Sequence, residues 1–374
     1  MSFTRLQQLT ECAPLALEGV KSLTAVALAA ESVPEHHYTH HEGRGPTPHR
    51  SNPAVIHREL TTLDVRPGHA VAECGTGSGY SGALLARLVG PSGTVTSLDI
   101  DPFLVRWANL IHHERGARNV RCHTADGTAG FAGGAPYDRM VAWCTPPLLP
   151  QAWVDQAADG GLIVAPLPIA PVPNLTVVAK IRVQGGEPVV EAVFPGGYIE
   201  ATTSPKSDLD LPGRWVDWEN RTPAPSWISI AWRGEDDSLH TGARTTLARL
   251  LKDAHTERYD RPDIDWPSWR TFAATLGDHR LTMAGLAPGR WAIGHTTATT
   301  AAVLQQDGTI LADRPDSPSL TVLHRWLKQW EEAARPAPET YTPALDRAGN
   351  RENQAGWHLR LRRNAPPPHG ASTA

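Results

Sequence analysis

The chain has 374 residues, with 35 Lys and Arg against 39 Asp and Glu for a formal charge of −4, and it is 40% hydrophobic and 20% charged. That length suggests about two domains of roughly 100–200 residues, and the composition excludes collagen, coiled coil and disorder of the whole chain. A mildly acidic balance with no basic block leaves no electrostatic footprint for nucleic acid or an anionic membrane.

Four cysteines, Cys12, Cys74, Cys122 and Cys144, lie far apart with no C-x-x-C pair. Neither a zinc site nor a disulfide framework is signalled, and a reduced, cytoplasmic setting is expected. No apolar run approaches the roughly 20 residues that a transmembrane helix needs. The run SLTAVALAAES at Ser22–Ser32 follows Glu18 and Lys21, so it reads as an amphipathic helix rather than a targeting signal.

In chain order, residues 1–63 are expected to form an N-terminal helical cap and substrate-side segment, interrupted by the His-rich stretch Glu35–Pro48. Residues 64–203 alternate strand-like and helical runs: Ala70–Cys74, a helix Tyr80–Val89, Thr94–Asp99, a helix Pro102–Arg115, Val120–Thr124, Asp138–Ala142, a helix Pro150–Ala158 and Gly161–Pro166. This alternation predicts a parallel sheet covered on both faces, with right-handed crossovers. Residues 204–363 are rich in Pro and Trp and hold ten of the 13 tryptophans, which predicts a second folded unit. Within it, Leu320, Leu323, Trp326, Leu327 and Trp330 recur at helical spacing ahead of Pro336, and core packing is the reading for these rings. Residues 364–374 read as a disordered tail.

The run AVAECGTGSGY at Ala70–Tyr80 is a strand, then glycines at alternate positions (Gly75, Gly77, Gly79), then a helix. Glycine is needed where a backbone turns with positive φ and lets a ligand approach closely. A nucleoside-type cofactor at the carboxyl end of a first strand suits such a loop. Asp99 ends the second strand, where a carboxylate can accept from both ribose hydroxyls. G-x-G-x-G in place of G-x-G-x-x-G favours S-adenosylmethionine over a dinucleotide, because it has no pyrophosphate to cradle. Asp126-Gly127 after the third strand can accept from an adenine amino group. A nicotinamide oxidoreductase is the disfavoured alternative, and for Asp99 and Asp126 a capping or turn role competes.

These residues resemble the protein-L-isoaspartate O-methyltransferases. The resemblance runs through S-N-P at Ser51–Pro53, A-E-C-G-T-G-S-G-Y at Ala72–Tyr80, V-T-S-L-D at Val95–Asp99, A-D-G at Ala125–Gly127, A-P-Y-D at Ala135–Asp138 and D-G-G-L-I-V-A-P at Asp159–Pro166. It implies an α/β, Rossmann-like methyltransferase domain with a mostly parallel sheet, followed here by a C-terminal α+β accessory domain. It also implies S-adenosylmethionine as cofactor, with Glu73, Gly75, Gly77, Gly79, Tyr80, Asp99, Asp126 and Gly127 around it. Ser51 falls at the family's active-site serine, although its place before Pro53 and Ile56, Leu60 and Leu63 is also that of a helix N-cap.

The extension of roughly 170 residues, with W-L-K-Q-W-E-E-A-A-R-P at Trp326–Pro336 and W-H-L-R-L-R at Trp357–Arg362, resembles the extended versions that act on ribosomally made modified peptides such as graspetides, lasso peptides and lanthipeptides. The expected reaction is esterification of an aspartate side chain in a ring-constrained precursor peptide, leading to aspartimide or isoaspartate. General repair of isoaspartyl residues is the alternative. An aspartate is already ionised at neutral pH, so no general base is required. Ser51 would orient the carboxylate, while His49 and Arg50 would offset its charge, with solvent exposure as their competing reading. Trp143-Cys144 departs from the small residues usual in the family after the fourth strand. The cluster His36-His37-Tyr38-Thr39-His40-His41 has possible metal-ligand spacing but no completing shell, so no metal is expected.

Overall fold

The computed structural model describes residues 14–41, 45–47, 50–205, 211–233, 241–260, 263–348 and 355–364. Helix α1 spans Pro14–Ser32 and α2 spans Pro53–Leu63. The N-cap of α2 is Asn52, whose side chain accepts from the Ala54 N–H, with Pro53 in the first turn where its missing donor costs nothing. The capping role weighed for Ser51 therefore falls to its neighbour, and Ser51 is not used as a helix cap.

Strands β1 (Ala70–Cys74), β2 (Thr94–Asp99), β3 (Val120–Thr124), β4 (Tyr137–Ala142) and β5 (Ala157–Pro168) alternate with α3 (Tyr80–Val89), α4 (Pro102–Glu114) and α5 (Gln151–Gln156). Strands β6 (Thr176–Gln184) and β7 (Glu187–Pro195) complete a seven-stranded sheet of order β7-β6-β5-β4-β1-β2-β3. The pairs among β1 to β5 are parallel, and β6 and β7 add antiparallel strands at one edge. Apolar clusters cover both faces: Leu60, Leu84, Leu85 and Ile111 on one, Trp153, Leu149, Ile163 and Ile181 on the other. The strand order reverses between β1 and β4, and the crevice at their carboxyl ends is where such a sheet receives a ligand.

The second unit is a seven-stranded, wholly antiparallel sheet built from β8 (Trp218–Asn220), β9 (Ser226–Ile230), β10 (His255–Arg258), β11 (Leu281–Ala287), β12 (Arg290–Thr296), β13 (Ala301–Gln305) and β14 (Thr309–Ala312). Alternation of side chains sends Trp227 to one face and Ile228 and Ile230 to the other. Helix α6 (Ala243–Lys252) covers one face through Leu247 and Leu250. Helices α7 (Trp266–Thr275) and α8 (Pro318–Glu332) cover the other through Trp269, Phe272, Leu323, Trp326 and Trp330. The tryptophans divide: Trp227, Trp269, Trp326, Trp330 and Trp357 are buried, whereas Trp215, Trp218, Trp232, Trp266 and Trp291 are only partly so.

The two units share their cores. Val172 and Leu175, in the turn between β5 and β6, are buried in the second unit's cluster. The hairpin β15 (Thr342–Arg347) and β16 (Gly356–Arg362) returns to the first unit, where Gly356 and Trp357 pair with Pro150 and Leu149. Tyr341, Trp357, Leu359 and Leu361 of this segment pack in the same cluster as Trp153 and Ile163.

Candidate active site

The loop after β1 is held by the neighbouring strand. Gly75 N–H donates to Leu98 O at 2.7 Å, and Gly77 N–H donates to the Asp99 carboxylate at 3.0 Å. Gly75, Gly77 and Gly79 all adopt positive φ, at 98°, 51° and 83°. A Cβ on Gly79 would sit 3.0 Å from the Ala108 Cβ, so α4 packs against the loop in a way that leaves no room for a side chain. Asp99 also accepts from the Asp101 N–H at 3.0 Å. Burial raises its carboxyl above the usual value, opposed by those backbone donors.

Beneath the loop lies Glu73, fully buried. Its carboxylate accepts from Ser81 Oγ, from Ser97 Oγ at 2.6 Å and from Trp143 Nε1 at 2.8 Å. Burial pushes its pKa up, against these three donors. Glu73 thus ties β1, β2, α3 and the residue after β4 together, and it does not line the cavity. Nor does Tyr80, which is buried with its hydroxyl 2.9 Å from His57 Nε2. Of the expected cofactor contacts, Gly75, Gly77, Asp99, Asp126 and Gly127 line one cavity of about 570 Å³. Asp126 additionally caps the short turn Gly127–Ala129 by accepting from the Thr128 N–H at 2.9 Å, so the capping and cavity-lining readings coexist. Gly127 is packed so closely that a Cβ would lie 2.1 Å from Cys74 Sγ.

Arg50, Ser51 and Asn52 form another wall of this cavity. Arg50 is exposed, with Nη1 3.2 Å from His40 Nε2; His49 lies outside the described residues. Trp143 and Cys144 line the cavity beside the glycine loop, where a Cβ on Gly75 would meet the Trp143 Cβ at 3.3 Å. Cys74 and Cys144 are free thiols with sulfurs 3.5 Å apart. His36 and His37 meet ring edge to ring face at 4.0 Å, and among the described residues no group of three His, Cys, Asp or Glu is placed to hold a metal ion. No helix among the described residues is long and apolar enough to cross a membrane.

Sequence reasoning missed the remaining walls. Asn174, Thr176 and Gly197–Thr202 arrive from the first sheet's antiparallel edge, and Trp227, Arg270 and Trp291 arrive from β9, α7 and β12 of the second unit. Nothing local marks these residues, because they meet the glycine loop only through the packing of two sheets. The Trp density of the second unit was the sole available signal.

The order of the parallel strands, the glycine turn at the switch point and the acid ending β2 define a Rossmann-like fold of the S-adenosylmethionine-dependent methyltransferases. Residues 25–203 match the family model Protein-L-isoaspartate(D-aspartate) O-methyltransferase (PCMT). A protein-L-isoaspartate O-methyltransferase of Methanococcus maripaludis strain C6 is 40% identical over 105 residues, covering 28% of this chain and 50% of the relative. One from Aeropyrum pernix is 37% identical over 131 residues, covering 35% of this chain and 50% of the relative. The chain therefore spans about half the length of these curated relatives. Among solved structures, a putative protein-L-isoaspartate O-methyltransferase from Plasmodium falciparum in complex with S-adenosyl-L-homocysteine is 16% identical with a TM-score of 0.40, over 48% of this chain and 91% of that one.

Proposed function

We propose that the protein is an S-adenosylmethionine-dependent carboxyl O-methyltransferase acting on aspartyl or isoaspartyl residues of a peptide or protein. The observation that carries this is the single cavity in which the glycine loop, Asp99 and Asp126 face Arg50, Ser51 and Asn52. The residues fit the cofactor: the loop's positive-φ glycines keep side chains out of its path, and Asp99 offers a carboxylate to a ribose. When bound, S-adenosylmethionine supplies a methyl group on a sulfonium, which passes to a carboxylate oxygen as the thioether leaves.

The chain's own residues orient and desolvate. An ionised carboxylate needs no general base at neutral pH, so positioning it at a near-attack distance of about 3–3.5 Å and removing its water dominate the barrier. Ser51 offers a hydroxyl donor for this, Arg50 a compensating charge, and Trp143, Tyr198 and Trp227 the apolar walls that exclude water. Once esterified, the side chain becomes an electrophile that the following backbone nitrogen can close upon with loss of methanol, giving an aspartimide.

A second reading narrows the substrate to a ring-constrained, ribosomally made peptide. It is favoured by the second unit's contribution of Trp227, Arg270 and Trp291 to the cavity wall, which ties access to the glycine loop to a surface the compact domain lacks. Parallel assays of methyl transfer to a linear isoaspartyl peptide and to a constrained precursor peptide, followed by mass spectrometry, separate the two. Methylation of the constrained peptide alone supports the narrower reading, and methylation of the linear one supports repair. Transfer to neither would overturn the activity itself.

A further inference from the structure

Arg270 stands on α7, in the second unit, yet its guanidinium reaches the cavity that holds the glycine loop. Nη2 donates to Gly196 O at 2.9 Å and Nη1 to Asn174 O at 3.3 Å. Nε is shielded from solvent and has no hydrogen-bond partner among the described residues. Among the described residues no carboxylate lies within ion-pair distance of any of its nitrogens.

The two carbonyls do not account for a cation. Gly196 O already accepts from Thr176 Oγ1 at 3.0 Å, and a neutral amide would serve both acceptors without the cost of desolvating a charge. Burial alone pushes the guanidinium down, to about 10. Among the described residues this cation has no ion-pair partner, so its anion can come from outside, and the planar fork of Arg is suited to a carboxylate.

The position of Arg270 says which carboxylate. It abuts Gly196; two residues on, Tyr198 packs edge-on against Trp143 at 5.8 Å, and Trp143 in turn abuts Gly75. Arg270 is thus reached along the cavity wall from the glycine loop, through Tyr198 and Trp143, and is not part of the loop's own shell. Ser51 and Arg50 stand on a different element, ahead of α2.

We propose that Arg270 forms an anion subsite for a second carboxylate of the substrate peptide, an acidic side chain near the one that is methylated. This rests on the peptide-methyltransferase reading and adds to it a preference: the accepting carboxylate goes to the Ser51 side of the cavity and its acidic neighbour to the second unit. Partly buried Trp291 and buried Trp227, which line the same cavity, would flank the peptide between them.

The test uses the full chain saturated with S-adenosylhomocysteine and titrated calorimetrically with acceptor peptides in which one Asp, or Asn in its place, is walked along either side of the acceptor. The wild type should bind the best Asp peptide about 10- to 100-fold more tightly than its Asn counterpart. Arg270→Met should erase that difference while leaving the Asn peptide and S-adenosylhomocysteine bound as before, and Arg270→Lys should restore part of it. Equal binding of every Asp and Asn pair by the wild type, or an Asp preference that survives in Arg270→Met, would overturn the subsite. Should Arg270→Met lose S-adenosylhomocysteine binding and thermal stability together, Arg270→Lys and Arg270→Gln decide: a preference kept by Lys and lost by Gln supports the subsite, and one kept by both refutes it. Methyl transfer is read separately. A wild type that discriminates the peptides but methylates none would sink the activity reading and leave the anion subsite standing.

Discussion

The two large sheets of this molecule have seven strands each, and they place ligand-facing residues in opposite ways. In the first, neighbouring parallel strands deliver Gly75, Asp99 and Asp126 to one edge because each of β1 to β5 points its carboxyl end there. In the second, antiparallel strands point alternately up and down, so no edge collects loops of one kind. This sheet and the helix packed on it bring scattered side chains to the cavity, among them Trp227, Arg270 and Trp291, drawn from a strand, a helix and another strand. The parallel sheet builds its site from backbone turns; the antiparallel one presents a surface. The first is expected to govern cofactor affinity and the second peptide choice.

The strongest way to break this comparison is to empty the second core. Trp330 is fully buried, donates from Nε1 to Ser268 Oγ at 2.8 Å and packs against Trp269 at 5.4 Å. Trp330→Ala should cost about 3–5 kcal/mol. Calorimetry should then show a lowered transition for the second unit beside an upper one that S-adenosylhomocysteine still raises. One cooperative transition, insensitive to that ligand, would mean the units cannot be separated.

A smaller effect belongs to the first unit alone. His112 on α4 is buried beside Gly79 and Gly82, with neither ring nitrogen hydrogen-bonded among the described residues. Burial drops its pKa from 6.5 to about 4. The folded state keeps the ring neutral, so stability is full above pH 6.5 and is lost as pH falls toward 4, by about 3 kcal/mol at the limit. Glu73 and Asp99, raised by burial, pull the other way, which makes the difference between wild type and His112→Leu the informative quantity. Urea denaturation at successive pH values should show wild type losing stability relative to His112→Leu on acidification; a constant difference would refute the buried neutral ring.

Asp99 sharpens the cofactor side. Asp99→Asn should weaken S-adenosylhomocysteine binding by about 2 kcal/mol, roughly thirtyfold, while peptide selectivity is unchanged. Because burial raises this carboxyl, wild-type cofactor affinity should begin to fall at a pH above the ordinary carboxylate value of about 3.9. Titration calorimetry across pH checks both. The mildest variant is Asn52→Ala, which removes the cap of α2 at about 1 kcal/mol and should loosen the Ser51 wall without touching the glycine loop.

How much of this was legible follows the range of the forces involved. Strands β1, β2 and β3 and helix α3 fall on the very residues their apolar runs and glycine turns mark, because strand length and loop chemistry are set by near neighbours. The amphipathic spacing of Leu320 to Trp330 likewise found α8. Ser51 was weighed as the cap because Ser, like Asn, can fill that role; only the geometry showed Asn52 accepting the bond. The resemblance implies Glu73 and Tyr80 around the cofactor; neither lines the cavity, and Glu73 is held inward from β1 by three donors.

The sequence by itself determined the Rossmann-like alternation, the positive-φ glycine turn and the acids that end β2 and follow β3, since each depends on residues a few positions apart. Tertiary structure alone decided that Val172 and Leu175 bury into the second unit, that β16 returns to pair with Leu149 and Pro150, and that Arg270 meets Asn174 across 96 positions of chain. Those contacts arise from apolar surface closing over two sheets. Burial of that kind is non-directional and leaves no local pattern from which its partners could be read.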